Sequence, residues 1–444
     1  MDLNTRLQNV AVIGAAGKMG SGISLLLAQE LGFASLENRS RTFILNLVDI
    51  SDLALQGLIR YIKEQSVKTA EKQINRLREL YKDRVDLVEN GEIINEFVHE
   101  VLVHIRTGKT LDLAKDSLLV FEAVFEKEEL KFEVYNKLAS LCPKETYFLT
   151  NTSSIPIKVI TDACGIDGRV IGYHFYNPPA VQKLVELITP DTCDEELKVL
   201  SLEIAKKLGK KIVPANDIAG FIGNGHFMRD GLHAISEVKR LSKEHGYPQA
   251  IYMVDKVSRD YLLRPMGIFQ LIDYVGIDVF QLILKVMNKY LTKQGLHSDL
   301  IDKYMEQGVK GGQTSSGAQK DGFLKYEKGK PVGVYNPETK EYVPVDDIFI
   351  KAVDEKLGLH PNPSLSWKNL LKDPEKDSKT QNYFTSLKEM DTLGAELARR
   401  YYNASKETSE KLVKSGVANK PEDVNSVLTL GFFHLYGPIN DYLK

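Results

Sequence analysis

Two residues of this chain, His174 and Glu186, have the types and the spacing to move a proton. His174 stands in Gly172-Tyr173-His174-Phe175-Tyr176-Asn177-Pro178-Pro179, just past an apolar run, and Glu186 follows twelve residues later among Leu184, Val185, Leu187 and Ile188. A carboxylate buried there without a partner is costly, and His174 is the nearest suitable one. Imidazole titrates near neutrality, so a histidine held by a carboxylate can take the proton of a hydroxyl as hydride leaves its carbon. The plainer reading, a packed histidine among aromatics, stays open at this point.

Hydride needs an acceptor, and the N-terminal segment offers a place to bind one. Gly14-Ala15-Ala16-Gly17-Lys18-Met19-Gly20 follows the strand-like Val10-Ala11-Val12-Ile13 and precedes the apolar stretch Ile23 to Leu31. Glycines let a backbone turn tightly and approach a pyrophosphate, and the helix N-terminus then meets the phosphate charge. Gly14, Gly17, Met19 and Gly20 are therefore expected to line a dinucleotide. Asp49, at the end of a second strand-like run, can accept both hydroxyls of the adenine ribose and would repel a 2′-phosphate, favouring NAD over NADP. It lies 35 residues beyond Gly14. The usual separation is about 20, so an insertion is expected around Gly32 to Arg41.

These groups need a frame. Short β-branched runs separated by amphipathic stretches predict a parallel α/β sheet of Rossmann type over residues 1–213, with clear strands at Val10–Ile13, Phe43–Val48, Leu118–Phe121, Tyr147–Thr150 and Val170–Tyr173. Residues 51–100 are charged and helix-periodic, with Leu53, Leu55, Leu58, Ile59 and Ile62 at helical spacing, and predict a long helical arm. After Pro214 the texture becomes all-α. A helical domain is expected over 214–322, ending near a Gly/Ser-rich segment at 311–317, then a linker or hairpin over 323–346 and a second helical unit over 347–444. That unit echoes the first: Asp255 stands twelve residues before Gly267, and Asn425 twelve before Gly437.

Composition narrows the partners. The 58 basic and 60 acidic residues nearly cancel, so no global field recruits nucleic acid or an anionic membrane. Cys142, Cys164 and Cys193 are odd in number and widely spaced, and read as reduced packing thiols rather than metal ligands. His226 and His233, at i and i+7, read as packing or solvated residues, and no metal is expected. No apolar run is long enough to span a bilayer, and the N-terminal residues resemble neither a signal peptide nor a transit segment, so a cytoplasmic protein is expected.

Six blocks, in order, resemble the L-3-hydroxyacyl-CoA dehydrogenases over about residues 8–325. They are Val12-Ile13-Gly14 to Gly20, Phe121-Glu122-Ala123, Asn151-Thr152-Ser153-Ser154, His174 to Pro178 with Glu186, Gly220-Phe221-Ile222-Gly223-Asn224, and Arg264-Pro265-Met266-Gly267 to Gly276. The resemblance implies NAD-dependent oxidation of a 3-hydroxyacyl-CoA to the 3-oxoacyl-CoA, in fatty-acid β-oxidation or related short-chain acyl-CoA metabolism. It implies His174 as base with Glu186 as partner, and Ser153 and Asn224 as hydrogen-bonding groups near the reacting oxygen. It also implies Glu126, Lys131 and Asn177 near the nicotinamide, with Ser66 and Lys72 in the arm that meets the CoA moiety. Gly225-His226-Phe227-Met228 departs from the family, which usually has Arg and aliphatics there. Alternatives are a dehydrogenase of a small hydroxy acid or sugar acid, and a non-catalytic relative. Single-copy members resemble dimers that pack helical domain on helical domain, so a second copy leaves monomer or homodimer open, with association with other β-oxidation enzymes a further expectation.

Overall fold

A computed structural model describes residues 1–314 and 317–444; Ser315 and Ser316, in the Gly/Ser-rich segment, lie outside the described residues. The chain divides into two compact units, Met1–Ile218 and Ala219–Lys444.

The first unit is built on eight strands: β1 (Asn9–Ile13), β2 (Ile44–Val48), β3 (Ile105–Gly108), β4 (Leu119–Glu122), β5 (Tyr147–Thr150), β6 (Val170–Phe175), β7 (Leu184–Thr189) and β8 (Lys211–Asn216). Their order is β3-β2-β1-β4-β5-β6-β7-β8. All pairings are parallel except β6 with β7. The strand order reverses between β1 and β4, which in doubly wound sheets opens a ligand crevice at the carboxyl ends of the strands. Helices α1 (Leu3–Arg6), α2 (Gly20–Glu37), α3 (Asp52–Lys72), α4 (Ile74–Leu80), α5 (Asn90–Val103), α6 (Glu128–Leu141), α7 (Ile157–Cys164) and α8 (Glu195–Lys207) complete the unit.

Two expectations change here. The expected boundary at Val213 cuts through β8, because Pro214 was read as a break. β8 is an edge strand, where a residue without an N–H is tolerated, and the unit runs to Ile218. Across the expected insertion α2 continues for eighteen residues, to Glu37. Leu53, expected on the buried face of the arm, is 79% exposed, while Leu55, Leu58 and Ile62 are buried.

The second unit holds α9 (Gly223–Lys256), α10 (Ile268–Val275), α11 (Ile277–Tyr290), α12 (Asp299–Glu306), a small antiparallel sheet of β9 (Leu324–Glu327), β10 (Lys330–Asn336) and β11 (Glu341–Pro344), then α13 (Asp347–Leu357), α14 (Trp367–Leu370), α15 (Lys376–Glu389), α16 (Leu393–Lys414) and α17 (Pro421–Gly431). Of the expected linker or hairpin, the segment forms the hairpin, here of three strands, and it belongs to the core: Phe323, Leu324, Val334 and Tyr335 pack with residues from Phe227 to Leu435. Buried Asp273 fixes it, accepting from the amides of Phe323 (2.7 Å) and Leu324 (2.9 Å) and from the Tyr326 hydroxyl (3.0 Å). The cuts at 322 and 346 therefore separate no cores.

The echo seen in the sequence has matching geometry at a fixed offset of 170 residues. Asp255 Oδ1 accepts from Phe269 N and Gln270 N, and Asn425 Oδ1 accepts from Ile439 N. A Cβ on Gly267 would lie 2.2 Å from the Asp255 carboxyl, and one on Gly437 2.2 Å from the Asn425 amide carbon. Leu263 and Phe433, each four residues before its glycine, share the left-handed backbone, with φ of 51° and 56°.

Between α9 and α16 lies a buried polar cluster. Asp230 pairs with Arg264 at 2.7 Å and accepts from the Tyr401 hydroxyl at 2.9 Å, while His226 Nε2 meets Ser405 Oγ at 3.0 Å. Burial holds the His226 imidazole down at about 4. Its ordinary value in the unfolded chain is near 6.5. Because the unfolded state binds the proton first, stability is present above about 6.5 and is lost as pH falls towards 4. That amounts to about 2 kcal/mol between pH 7.5 and 5. Thermal denaturation across this range should show a steeper acid loss for the native chain than for His226→Gln; parallel curves would count against it.

Candidate active site

His174 is the penultimate residue of β6 and faces Glu186 across the antiparallel pair, the two being direct partners in the ladder. Opposite residues of such a pair project from the same face. Nδ1 of His174 lies 3.0 Å from Glu186 Oε2. Glu186 is fully buried and His174 is 8% exposed. A carboxylate oxygen accepts hydrogen bonds, so this contact suits the tautomer with the proton on Nδ1. The antiparallel turn-back was not foreseen, although the apolar run Leu184–Thr189 after a proline-rich connection was its signal.

The connection is pinned as well. Lys210 Nζ donates to the carbonyls of Pro179 (2.5 Å) and Gln182 (2.7 Å), and burial brings its ammonium down to about 8. A Cβ on Gly22 would come within 2.8 Å of Pro179, so the connection rests directly on α2. Asn177, expected near the nicotinamide, opens this connection.

Ser153 lies on the loop after β5. Asn151 Oδ1 accepts from the amide of Phe175 at 2.8 Å, which ties this loop to the residue after His174. Glu126 organises the rest: its Oε1 accepts from Ser153 N (2.9 Å), Ser154 N (2.9 Å), Ser154 Oγ (2.9 Å) and Thr152 Oγ1 (2.7 Å). Burial pushes the Glu126 carboxyl up, but the Lys131 charge and these donors outweigh it and hold it below the ordinary range. Lys131, 1% exposed, bridges Glu126 at 3.5 Å and Glu122 at 2.8 Å. Burial alone would lower its ammonium; the two carboxylates keep it raised.

Glu122 had no assigned role in the sequence reading. It is wholly buried at the end of β4 and gathers Lys131, Thr150 Oγ1 (2.7 Å) and Val124 N (2.7 Å). An acid closing the apolar strand Leu119–Phe121, with a lysine nine residues on in the following helix, was the available signal.

The glycine turn fits a dinucleotide. Gly14 has φ +75°, and a Cβ there would lie 2.7 Å from the Ala123 carbonyl; a Cβ on Gly20 would lie 2.0 Å from the Gly14 carbonyl. Gly17 and Met19 complete the turn, with Met19 as the N-cap of α2. Asp49 Oδ2 accepts from Ala16 N at 3.0 Å, so the acid that would meet the ribose also braces the turn. Asn224 lies in the first turn of α9, in the second unit.

The two substrate residues expected in the arm part company. Lys72 is exposed at the end of α3. Ser66 is wholly buried, and its hydroxyl accepts from Gln29 Nε2 at 3.4 Å. Its expected contact with CoA is corrected to a packing role between α2 and α3, since a hydroxyl with no surface offers a ligand nothing. His226 packs as expected, and the described residues include no cluster of three or more metal-ligating side chains.

A glycine turn at the switch point of a parallel sheet, with a histidine held by a buried acid, is the arrangement expected of a nicotinamide-dependent oxidoreductase. The comparisons with known proteins refine this. Residues 9–218 match the 3-hydroxyacyl-CoA dehydrogenase NAD binding domain, and residues 220–321 match the C-terminal domain of the same family. The chain belongs to the 3-hydroxyacyl-CoA dehydrogenase family, whose cofactor is NAD. It is 30% identical over 319 residues to a probable 3-hydroxybutyryl-CoA dehydrogenase of Bacillus subtilis, covering 71% of this chain and 97% of that one. It is 31% identical to the human mitochondrial hydroxyacyl-coenzyme A dehydrogenase, covering 72% and 92%. The solved structure of Escherichia coli 3-hydroxybutyryl-CoA dehydrogenase shares the fold over 98% of this chain and 90% of that one, with a TM-score of 0.64 at 22% identity. No helix among the described residues is long and apolar enough to cross a membrane.

Proposed function

We propose that this enzyme oxidises the 3-hydroxyl of an (S)-3-hydroxyacyl-CoA, reversibly, with His174 as the base. The observation that carries the reading is the 3.0 Å contact between His174 Nδ1 and buried Glu186, which supports Nε2 as the nitrogen that takes the substrate proton. Glu186 then stabilises the imidazolium that forms. Ser153, on the loop that Glu126 and Lys131 hold, and Asn224 donate to the oxygen on which charge develops. Gly14, Gly17, Met19 and Gly20 would cradle the NAD pyrophosphate, Asp49 the adenine ribose, and Glu126, Lys131 and Asn177 the nicotinamide end. When bound, NAD accepts the hydride. Lys72 on the arm is assigned to the CoA moiety.

Acetoacetyl-CoA with NADH, run beside free acetoacetate and beside NADPH, tests the thioester and Asp49 together. Turnover of the thioester with NADH alone is expected; equal rates on the free acid would replace the thioester with a small oxo acid. We place the reaction in fatty-acid oxidation, alongside the enzymes that make and cleave its substrates, since a Rickettsia prowazekii relative bears the name of a trifunctional fatty acid oxidation enzyme and is matched over 46% of its length. A cytoplasmic location is part of the same proposal.

We further propose that the last helical segment is a degenerate second copy of the first. The corresponding elements are 223–267 and 393–437. Gly394 occupies the position equivalent to Asn224, and a side chain there would run into Tyr261, 2.5 Å from a Cβ. The copy packs α16 against α9 within one chain, the surface through which single-copy relatives are expected to dimerise. A monomer in light scattering is expected across the working concentration range. A concentration-independent dimer with residues 347–444 exposed to proteolysis would defeat this.

A further inference from the structure

Tyr176 follows His174 by two residues and is buried. Its hydroxyl donates to Glu186 Oε2 at 2.7 Å, the oxygen that also meets His174 Nδ1 at 3.0 Å. The two rings tilt 38° to one another with centroids 4.9 Å apart. One carboxylate oxygen, inside a fully buried side chain, thus serves both the base and a phenol.

We propose that Tyr176 is a positioning residue of the dehydrogenase: by sharing the acceptor oxygen of the His174–Glu186 pair, it fixes the carboxylate and moderates the basicity that the carboxylate lends to the imidazole. This rests on His174 being the base. A second donor on the same oxygen draws negative charge away from Nδ1–H, so the imidazolium is stabilised less than it would be by Glu186 alone. A base in a reversible dehydrogenase works best when it neither holds its proton too tightly nor refuses it. Burial, reinforced by the Glu186 charge, keeps the phenol protonated far above the working range, so it acts as a donor throughout.

The charged groups on the surrounding strands form the background against which Tyr176, in direct contact with the shared oxygen, acts. β5 ends at Thr150, the register partner of Gly172, and Asn151 follows it; neither carries a charge. β7 carries Glu186 alone. β8 has Lys211 at its start, after Lys210, and is followed by Asp217, which is engaged by the amides of Ile157 (2.6 Å) and Lys158 (2.7 Å) at the start of α7. The Glu122–Lys131–Glu126 cluster lies at the end of β4, beyond β5, where two carboxylates share one ammonium and neutral amides and hydroxyls supply the other donors.

Tyr176→Phe keeps the ring and removes the hydroxyl. The test follows the His174 imidazole by NMR titration, together with the pH profile of kcat/KM for 3-hydroxybutyryl-CoA oxidation. The His174 midpoint and the acid limb of the profile should both rise by about half a pH unit, with KM little changed. A midpoint that stays put or falls overturns the proposal. Fluorotyrosine at position 176, a stronger donor of nearly the same shape, should move the midpoint the opposite way; a shift in the same direction as Tyr176→Phe also overturns it, and this arm decides should the Phe variant fail to fold. If the native enzyme does not turn over the thioester, the proposed function fails, while the NMR midpoints still decide the role of Tyr176.

Discussion

His174→Ala is expected to lower kcat by about 10²–10⁴-fold while leaving NADH binding intact, because the base acts on the substrate hydroxyl and the dinucleotide is held by other elements. The glycine turn and Asp49 belong to β1, β2 and the start of α2, and Glu126 and Lys131 to the segment after β4, so none needs the imidazole. Steady-state rates, read beside NADH fluorescence titration, separate the two effects. Unchanged turnover would remove His174 from the mechanism, and lost NADH binding would make it a packing residue whose removal spreads through the sheet. Raising the pH should not rescue the variant, since hydroxide in solution cannot reproduce a base fixed within hydrogen-bonding reach.

Lys131→Met should be the most destabilising single change in the dinucleotide unit. Lys131 is 1% exposed and Glu122 is wholly buried, so losing the ammonium leaves a desolvated carboxylate whose remaining partners are an amide and hydroxyls. Breaking a buried pair from one side typically costs about 3–5 kcal/mol. The double variant Glu122→Gln with Lys131→Met removes both charges and should recover a good part of that loss. Urea midpoints of the two variants measure the difference. Equal midpoints, or a loss under about 1 kcal/mol in the single variant, would mean that the pair is not the linchpin its burial implies. Because Glu126 leans on the same ammonium, the single variant should also bind NADH more weakly, through a loosened Ser153 loop.

Much of the site was legible because it is written in local chemistry. Gly14 and Gly20 are glycines for steric reasons that hold in any such turn, and Glu186 betrayed its need of a partner by its apolar neighbours. The parallel strands showed for the same reason: buried on both faces, they read as continuous apolar runs. What stayed hidden depends on pairings between distant segments. Pro214 looks like a break until β8 is known to be an edge, and Leu53 fits a helical face until the rest of the arm decides which face is covered. Glu122 is silent as a single letter, and its importance appears only when Lys131, nine residues on, folds back over it. Ser66 failed in the other direction. A polar residue in a polar helix reads as surface, yet the close approach of α2 to α3 encloses it. The small sheet at 324–344 was legible as a hairpin from its turn residues, but its place in the core was not, because the aromatic side chains that anchor it are spread along the chain.

The ladder that sets His174 opposite Glu186 also decides when the order of the site is established. His174 and Glu186 are neighbours through backbone hydrogen bonds of β6 and β7, not through a loop that must close on a ligand. A slip of one residue would turn the carboxylate to the other side of the sheet and part it from the imidazole. The conformational entropy of aligning the dyad is therefore surrendered once, when the sheet forms, and is not spent again in each catalytic cycle. An enzyme built in this way should show its histidine already oriented in the empty state, leaving the binding of thioester and dinucleotide to bring the reactants to a base that is standing ready.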